Sequence, residues 1–213
     1  HQSGWRRFIE RVYGHESREL VALQDGTLVG ILPLALVPTL LGQQNLLSLP
    51  YAVYGGPLGA SAAVEQALVD AAIVAGRALG VGHVELRYRE PPPAPGPGTE
   101  LYVTFQRELP RDPAAVLGLM PKKSRAEARK ARDKHGLELS EGSWYLDDLT
   151  RLFLSNKHQL GSPALPPEHF RALCEEFGEQ ISVHLVRQGR DPLAAVMSFA
   201  FRDVLIAYYA GTE

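Results

Sequence analysis

Residues 90–98 read Glu-Pro-Pro-Pro-Ala-Pro-Gly-Pro-Gly. No helix or interior strand passes through such a stretch, because proline fixes its own φ and has no N–H to donate. An extended, exposed loop is expected there. It divides the 213-residue chain into parts 1–98 and 99–213, and chains of this size can bury a core.

Apolar spacing and turn residues give each part an order of elements. In the first part, Trp5, Phe8, Ile9 and Val12 predict a helix over 4–13 ended by Gly14. Strands follow at 20–23 and 27–37, joined by Asp25-Gly26, a pair suited to a hairpin turn with positive φ. A third strand spans 45–54 and runs into Tyr54-Gly55-Gly56-Pro57. Ser61 caps a helix carrying Val64, Leu68, Ala72 and Leu79, which Gly80 stops, and a strand covers 81–87. The second part opens with a strand at 101–109 and a short helix at Asp112-Pro113. Helices then cover 122–135, 145–159 and 167–177, and strands cover 181–187, 193–201 and 204–209.

The two parts share a pattern. Tyr13-Gly14 ends a helix before two strands joined at Asp25-Gly26 and a third strand closing on Tyr54-Gly55. Phe177-Gly178 ends a helix before two strands joined at Gln188-Gly189 and a third closing on Tyr208-Tyr209-Ala210-Gly211. One α+β unit used twice explains this order. The first copy continues into a helix and a strand, and the second stops at Glu213, so the second copy is expected to be incomplete.

Composition removes several function classes. A single cysteine, Cys174, excludes an internal disulfide and a Cys-rich zinc site, and fits a reducing, cytoplasmic setting. Cys174 shares a helix face with Phe170 and Phe177 and reads as core. No histidine pair has i, i+4 metal-ligand spacing, and no H-E-x-x-H, Walker A or G-x-S-x-G motif occurs. No metal is expected, and no bound cofactor. Net charge is −2, so binding to a polyanion would need a local patch. No run approaches the roughly 18 apolar residues that a membrane-spanning helix needs.

Helix, three-stranded meander, glycine turn, helix and strand is the order of the GNAT acyltransferase fold. The chain resembles the FemAB family, which uses two such units in tandem, and is most similar to the FemAB-like proteins of exopolysaccharide and PEP-CTERM systems. The resemblance is carried by Gly30-Ile-Leu-Pro-Leu34, Leu47-Ser-Leu-Pro-Tyr51 with Tyr54-Gly55-Gly56, residues 125–136, Leu160-Gly-Ser-Pro163 and Tyr208-Tyr-Ala-Gly211. It implies a tandem GNAT-like α+β fold and transfer of an acyl or aminoacyl group to an amine of a cell-envelope glycan or peptidoglycan-type precursor. The implied co-substrate is aminoacyl-tRNA or acyl-CoA, and the implied acceptor a nucleotide- or lipid-linked glycan precursor. An acyl-CoA N-acyltransferase and a non-catalytic module binding an anionic polymer are the alternatives. Against the first, no Q/R-x-x-G-x-G/A pyrophosphate loop follows a meander strand.

Several residues are candidates for the chemistry. Lys122, Lys123, Arg125, Arg129, Lys130, Arg132 and Lys134 crowd one helix, with Glu127 and Asp133 as the opposing charges. Arginine forks on such a face match phosphate oxygens, so it suits tRNA or a nucleotide diphosphate, and a solvated surface helix is the competing account. Tyr51, Tyr54, Gly55 and Gly56 end a strand where glycine permits close backbone approach to a ligand, or simply makes a turn. Tyr208, Tyr209 and Gly211 hold the matching place. A tyrosine hydroxyl there can donate a proton to a leaving group, although strand alternation sends Tyr208 and Tyr209 to opposite faces and one of them into the core. His158 is placed to take a proton from the attacking amine, or to meet the free carbonyls of its helix end. Ser162 follows in the adjoining loop as a substrate contact.

Overall fold

The computed structural model describes residues 2–90, 92, 98 and 104–213. Contacts divide the chain into two compact units, His1–Gly98 and Thr99–Glu213.

The first unit opens with α1 (Ser3–Tyr13), whose buried Trp5, Phe8 and Ile9 follow helical spacing. Gly14 ends it at φ 65°, its N–H donating to the Glu10 carbonyl. Seven short strands follow: β1 (Glu16–Ser17), β2 (Leu20–Gln24), β3 (Thr27–Leu32), β4 (Ala35–Pro38), β5 (Gln44–Leu47), β6 (Leu58–Gly59) and, after α2 (Ala62–Leu79), β7 (Val84–Glu85). Asp25 and Gly26 both take positive φ between β2 and β3, as a two-residue hairpin requires.

The expected strand over 27–37 is two strands in two sheets. Pro33 lacks a ladder donor, and after it the chain leaves β2 and enters a second sheet. The sheets run β2-β3-β6 and β1-β4-β5-β7. All pairs are antiparallel except β5–β7, which is parallel, with α2 as the crossover. Leu32, Leu34, Leu36, Leu46, Leu68 and Ala72 form the core between strands and helix. Ser61 caps α2 by accepting from the Val64 N–H. The strand expected over 45–54 ends at Leu47, because Leu49 and Tyr51 turn to φ 42° and 65°. The strand expected over 81–87 is shorter too, limited to Val84–Glu85.

The second unit contains α3 (Pro113–Val116), α4 (Lys122–His135), β8 (Glu138–Glu141), α5 (Leu146–Gln159), α6 (Pro167–Phe177), β9 (Ile181–Gln188), β10 (Asp191–Phe201) and β11 (Val204–Thr212). Of the strand expected at 101–109, residues 101–103 lie outside the described residues, and 104–109 form no strand. β8 was not expected. Its Leu139 faces solvent, so no apolar alternation announces it. The antiparallel sheet runs β8-β9-β10-β11, and Leu149, Leu152, Phe153, Phe170, Leu173 and Phe177 of the helices join Val183, Leu185, Ala195, Met197 and Tyr209 of the strands in the buried set. Here the three consecutive strands stay in one meander, whereas Pro33 divides the corresponding strands of the first unit. Among the described residues no helix is long and apolar enough to cross a membrane.

Candidate functional site

In β11 the ladder to β10 slips. Met197 pairs with Tyr209 but Ser198 pairs with Ala207, which leaves Tyr208 as an extra, bulged residue. Burial changes phase at this point: Ile206 and Tyr208 are half-buried, then Tyr209 and Gly211 are buried. The bulge overturns the alternation argument. The Tyr208 and Tyr209 rings lie 4.9 Å apart, on one side of the strand rather than two. Such bulges re-aim side chains and interrupt pairing.

The two tyrosines differ in their surroundings. Tyr209 is 8% exposed, and its hydroxyl lies 2.8 Å from His169 Nε2. Phe170 and Phe153 pack edge-on at 5.4 and 6.0 Å. It is a core residue with a satisfied hydroxyl. Tyr208 stays half-buried against Phe199 at 5.1 Å. Gly211 has a packing reason: a Cβ there would lie 2.4 Å from the Phe153 backbone nitrogen, so glycine lets β11 close on α5.

His169, absent from the sequence candidates, is fully buried in α6, and burial lowers its pKa to about 4. Its position beside Phe170 on the inward face of α6 was the available signal. His158 is exposed at the end of α5, where its carbonyl accepts from the Gly161 N–H at 3.1 Å. Ser162 is exposed next to it, its N–H donating to the Lys157 carbonyl at 3.0 Å. Both belong to the C-terminal cap of α5, with Gly161 at φ 63°.

In the first unit, segment 48–56 leaves the parallel β5–β7 pair. The glycine expectation is corrected here, because the N–H groups of Gly55 and Gly56 both donate to the Arg87 carbonyl, at 2.9 and 2.8 Å. They fasten the loop and are not open to a ligand. A Cβ on Gly55 would also lie 2.6 Å from Leu49 Cβ. Further braces are Trp5 Nε1–H donating to the Pro50 carbonyl at 3.0 Å, Arg87 N–H to Ser48 Oγ at 2.8 Å and the Arg87 guanidinium to the Ala52 carbonyl at 2.8 Å. Tyr51 Oη lies 3.1 Å from Nε2 of His15, a residue that sequence reasoning also missed. Glu65, in the first turn of α2, reaches back to β6, its Oε1 accepting from the Gly59 N–H at 3.2 Å.

The basic helix α4 has the expected bounds and no buried residue. Lys130 pairs with Glu127 at 3.7 Å and Arg132 with Asp133 at 2.8 Å. Among the described residues Lys122, Lys123 and Arg125 form no ion pair, so the first turn, the positive end of the helix dipole, carries uncompensated cations.

Two hollows, of about 310 and 210 Å³, are lined by Arg18, Leu46 and Ala75 and by Arg107, Val116 and Met120 respectively. Both are shallow, and neither is lined by the tyrosines. Among the described residues no group of His, Cys, Asp or Glu could hold a metal ion.

The family described as "Acetyltransferase (GNAT) domain" matches residues 107–213. A solved structure titled "Crystal structure of FemX" is similar to 99% of this chain and 74% of that chain, with a TM-score of 0.61 at 10% sequence identity. At that identity the likeness concerns the fold. No curated protein matches the sequence.

Proposed function

The chain belongs to the acetyltransferase (GNAT) domain family, and we propose that it transfers an acyl or aminoacyl group to an amine, forming an amide. The observation that carries this reading is the bulge at Tyr208 in β11, inside the family-matched part. It takes a tyrosine out of strand register and leaves it half-buried while Tyr209 fills the core.

In the reaction the acceptor nitrogen attacks the donor carbonyl carbon, and the bond from that carbon to the carrier's oxygen or sulfur breaks. The nitrogen gives up a proton and the departing carrier takes one. Tyr208 donates to the leaving group, and His158 receives the proton from nitrogen. Tyr209 keeps Tyr208's strand anchored through His169.

The donor in this reading is aminoacyl-tRNA, with the exposed cations of α4 on its phosphates. The acceptor is a nucleotide- or lipid-linked glycan precursor of the cell envelope, as the resemblance to FemAB-like exopolysaccharide proteins suggests, and a cytoplasmic setting suits both. Each unit is read as a GNAT-like repeat by itself, with Tyr51 and Tyr54 as substrate contacts of the first and Ser162 as a substrate contact of the second. Acyl-CoA is the alternative donor, favoured by the family's own description.

Replacing Arg125, Arg129 and Lys130 by Gln tests the donor. Binding of aminoacyl-tRNA should weaken, and its dependence on salt should flatten by about one unit of slope for each phosphate that is no longer neutralised. Unchanged tRNA binding removes α4 from the reading. Calorimetric binding of coenzyme A by the same variant moves the donor to acyl-CoA.

A further inference from the structure

We infer that the turn joining β4 to β5 is a membrane-docking tip, whose Leu40 and Leu41 enter the surface layer of a lipid bilayer bearing anionic head groups. The inference does not depend on the proposed reaction.

The two leucines are 107% and 94% exposed, as open as in an unfolded chain, so the core does not explain them. The turn does not explain them either. Two backbone bonds close it, with the Thr39 N–H donating to the Gln43 carbonyl at 2.7 Å and the Gly42 N–H to the Thr39 carbonyl at 3.1 Å. Gly42 supplies the positive φ, at 81°. None of this needs leucine, and small polar residues or glycine are the usual occupants of such positions. The other hairpin turns make the usual choice: Asp25-Gly26 between β2 and β3, Gly189-Arg190 between β9 and β10, and Arg202-Asp203 between β10 and β11. Each of these three carries a charge. The β4–β5 turn carries two adjacent leucines instead.

The lack of charge extends along the chain. Residues 26–64, 39 in succession, include no Asp, Glu, Lys, Arg or His. The carboxylates that strand pairing brings beside this hairpin are neutralised. Glu16, opposite Leu36, meets Arg18 at 2.6 Å, and Glu85, opposite Leu47, meets Arg87 at 2.7 Å. The Gly82 N–H donates to the Gln44 carbonyl at 2.8 Å, which sets the C-terminal end of α2 beside the turn. The last turn of α2 carries Arg77, which forms no ion pair among the described residues.

An uncharged apolar projection with a cation set back from it is complementary to a bilayer. The leucines leave water for apolar surroundings, no charge has to be stripped of its hydration, and the arginine meets lipid phosphate at the head-group level. A protein partner would need a socket shaped to a narrow tip, whereas a fluid lipid layer closes around it.

The cations of α4 also attract anionic vesicles, so the first readout sits on the tip of the full chain. A nitrobenzoxadiazole label on Leu40→Cys, in a Cys174→Ser background, should brighten and shift to the blue with vesicles of equal parts phosphatidylcholine and phosphatidylglycerol. Phosphatidylcholine alone should give a weaker response, and the same label on Asp25→Cys should stay silent. The second readout is sedimentation with the mixed vesicles, in a Lys122→Gln, Lys123→Gln, Arg125→Gln background that removes the attraction of α4. Adding Leu40→Ser and Leu41→Ser should weaken binding about tenfold or more. Circular dichroism should be unchanged, because both side chains lie outside the core. A silent label at position 40, equal responses at 40 and 25, an equal response without phosphatidylglycerol, or unchanged sedimentation of the serine variant overturns the inference. A label response that follows protein concentration without vesicles assigns the tip to a second copy of the chain and overturns it too.

Discussion

A hydroxyl bonded to a buried imidazole is costly to remove, because the nitrogen left behind has no water to turn to. Tyr209→Phe should therefore destabilise the fold by about 1–3 kcal/mol, seen as a lower urea midpoint at unchanged slope. His169 adds a dependence on pH. Its pKa is about 4 in the folded chain against an ordinary 6.5, so between these values the unfolded chain binds the proton and the folded chain does not. Stability from this residue is complete above pH 6.5 and falls as pH drops towards 4, by about 3 kcal/mol in total. Urea titrations at several pH values should show the loss, and His169→Gln should flatten it. Gly211→Ala drives a methyl into the Leu152–Phe153 backbone, which no side-chain motion relieves. About 2 kcal/mol or more should be lost, measured by thermal melting. Neither histidine bond was legible in the sequence, because its partners lie 40 and 36 residues apart.

At the scale of elements, the helices were readable and the strands only partly. Helix α4 matches its expected bounds, and α1, α5 and α6 differ by at most a residue, since apolar spacing, proline starts and glycine stops act within a few residues. Strand ends depend on partners. Pro33 visibly removes a donor, yet the move of the chain into a second sheet follows from what β1 and β5 offer to β4. The bulge at Tyr208 depends on β10 in the same way. Helix α4 has its own consequence. With no buried residue its helicity rests on local propensity and a few ion pairs, which leave a short helix marginal in water. Its amides should exchange by local opening, well ahead of those in α5 and α6. Ala128→Gly, costing about 1 kcal/mol of helix propensity, should speed α4 exchange further while moving global stability by less than about 0.5 kcal/mol.

For the whole molecule, each unit has a core of its own. Residues 1–98 expressed alone should unfold cooperatively in urea, because Leu32, Leu34, Leu36, Leu46, Leu68 and Ala72 close their cluster within that unit. A non-cooperative transition would mean that this core needs residues beyond 98. The sequence by itself determined the α+β class, the helices, the hairpin at Asp25-Gly26 and the concentration of cations on α4. These follow from periodicity, caps and charge counts, which are local properties of the chain. Tertiary structure alone decided that Gly55 and Gly56 fasten a loop, that the bulge turns Tyr208 and Tyr209 to one side, and that His169 is satisfied while His15 keeps an unpaired nitrogen. Each of these depends on which atoms meet across tens of residues, and burial sets the cost of leaving a polar atom unpaired only once those atoms have met.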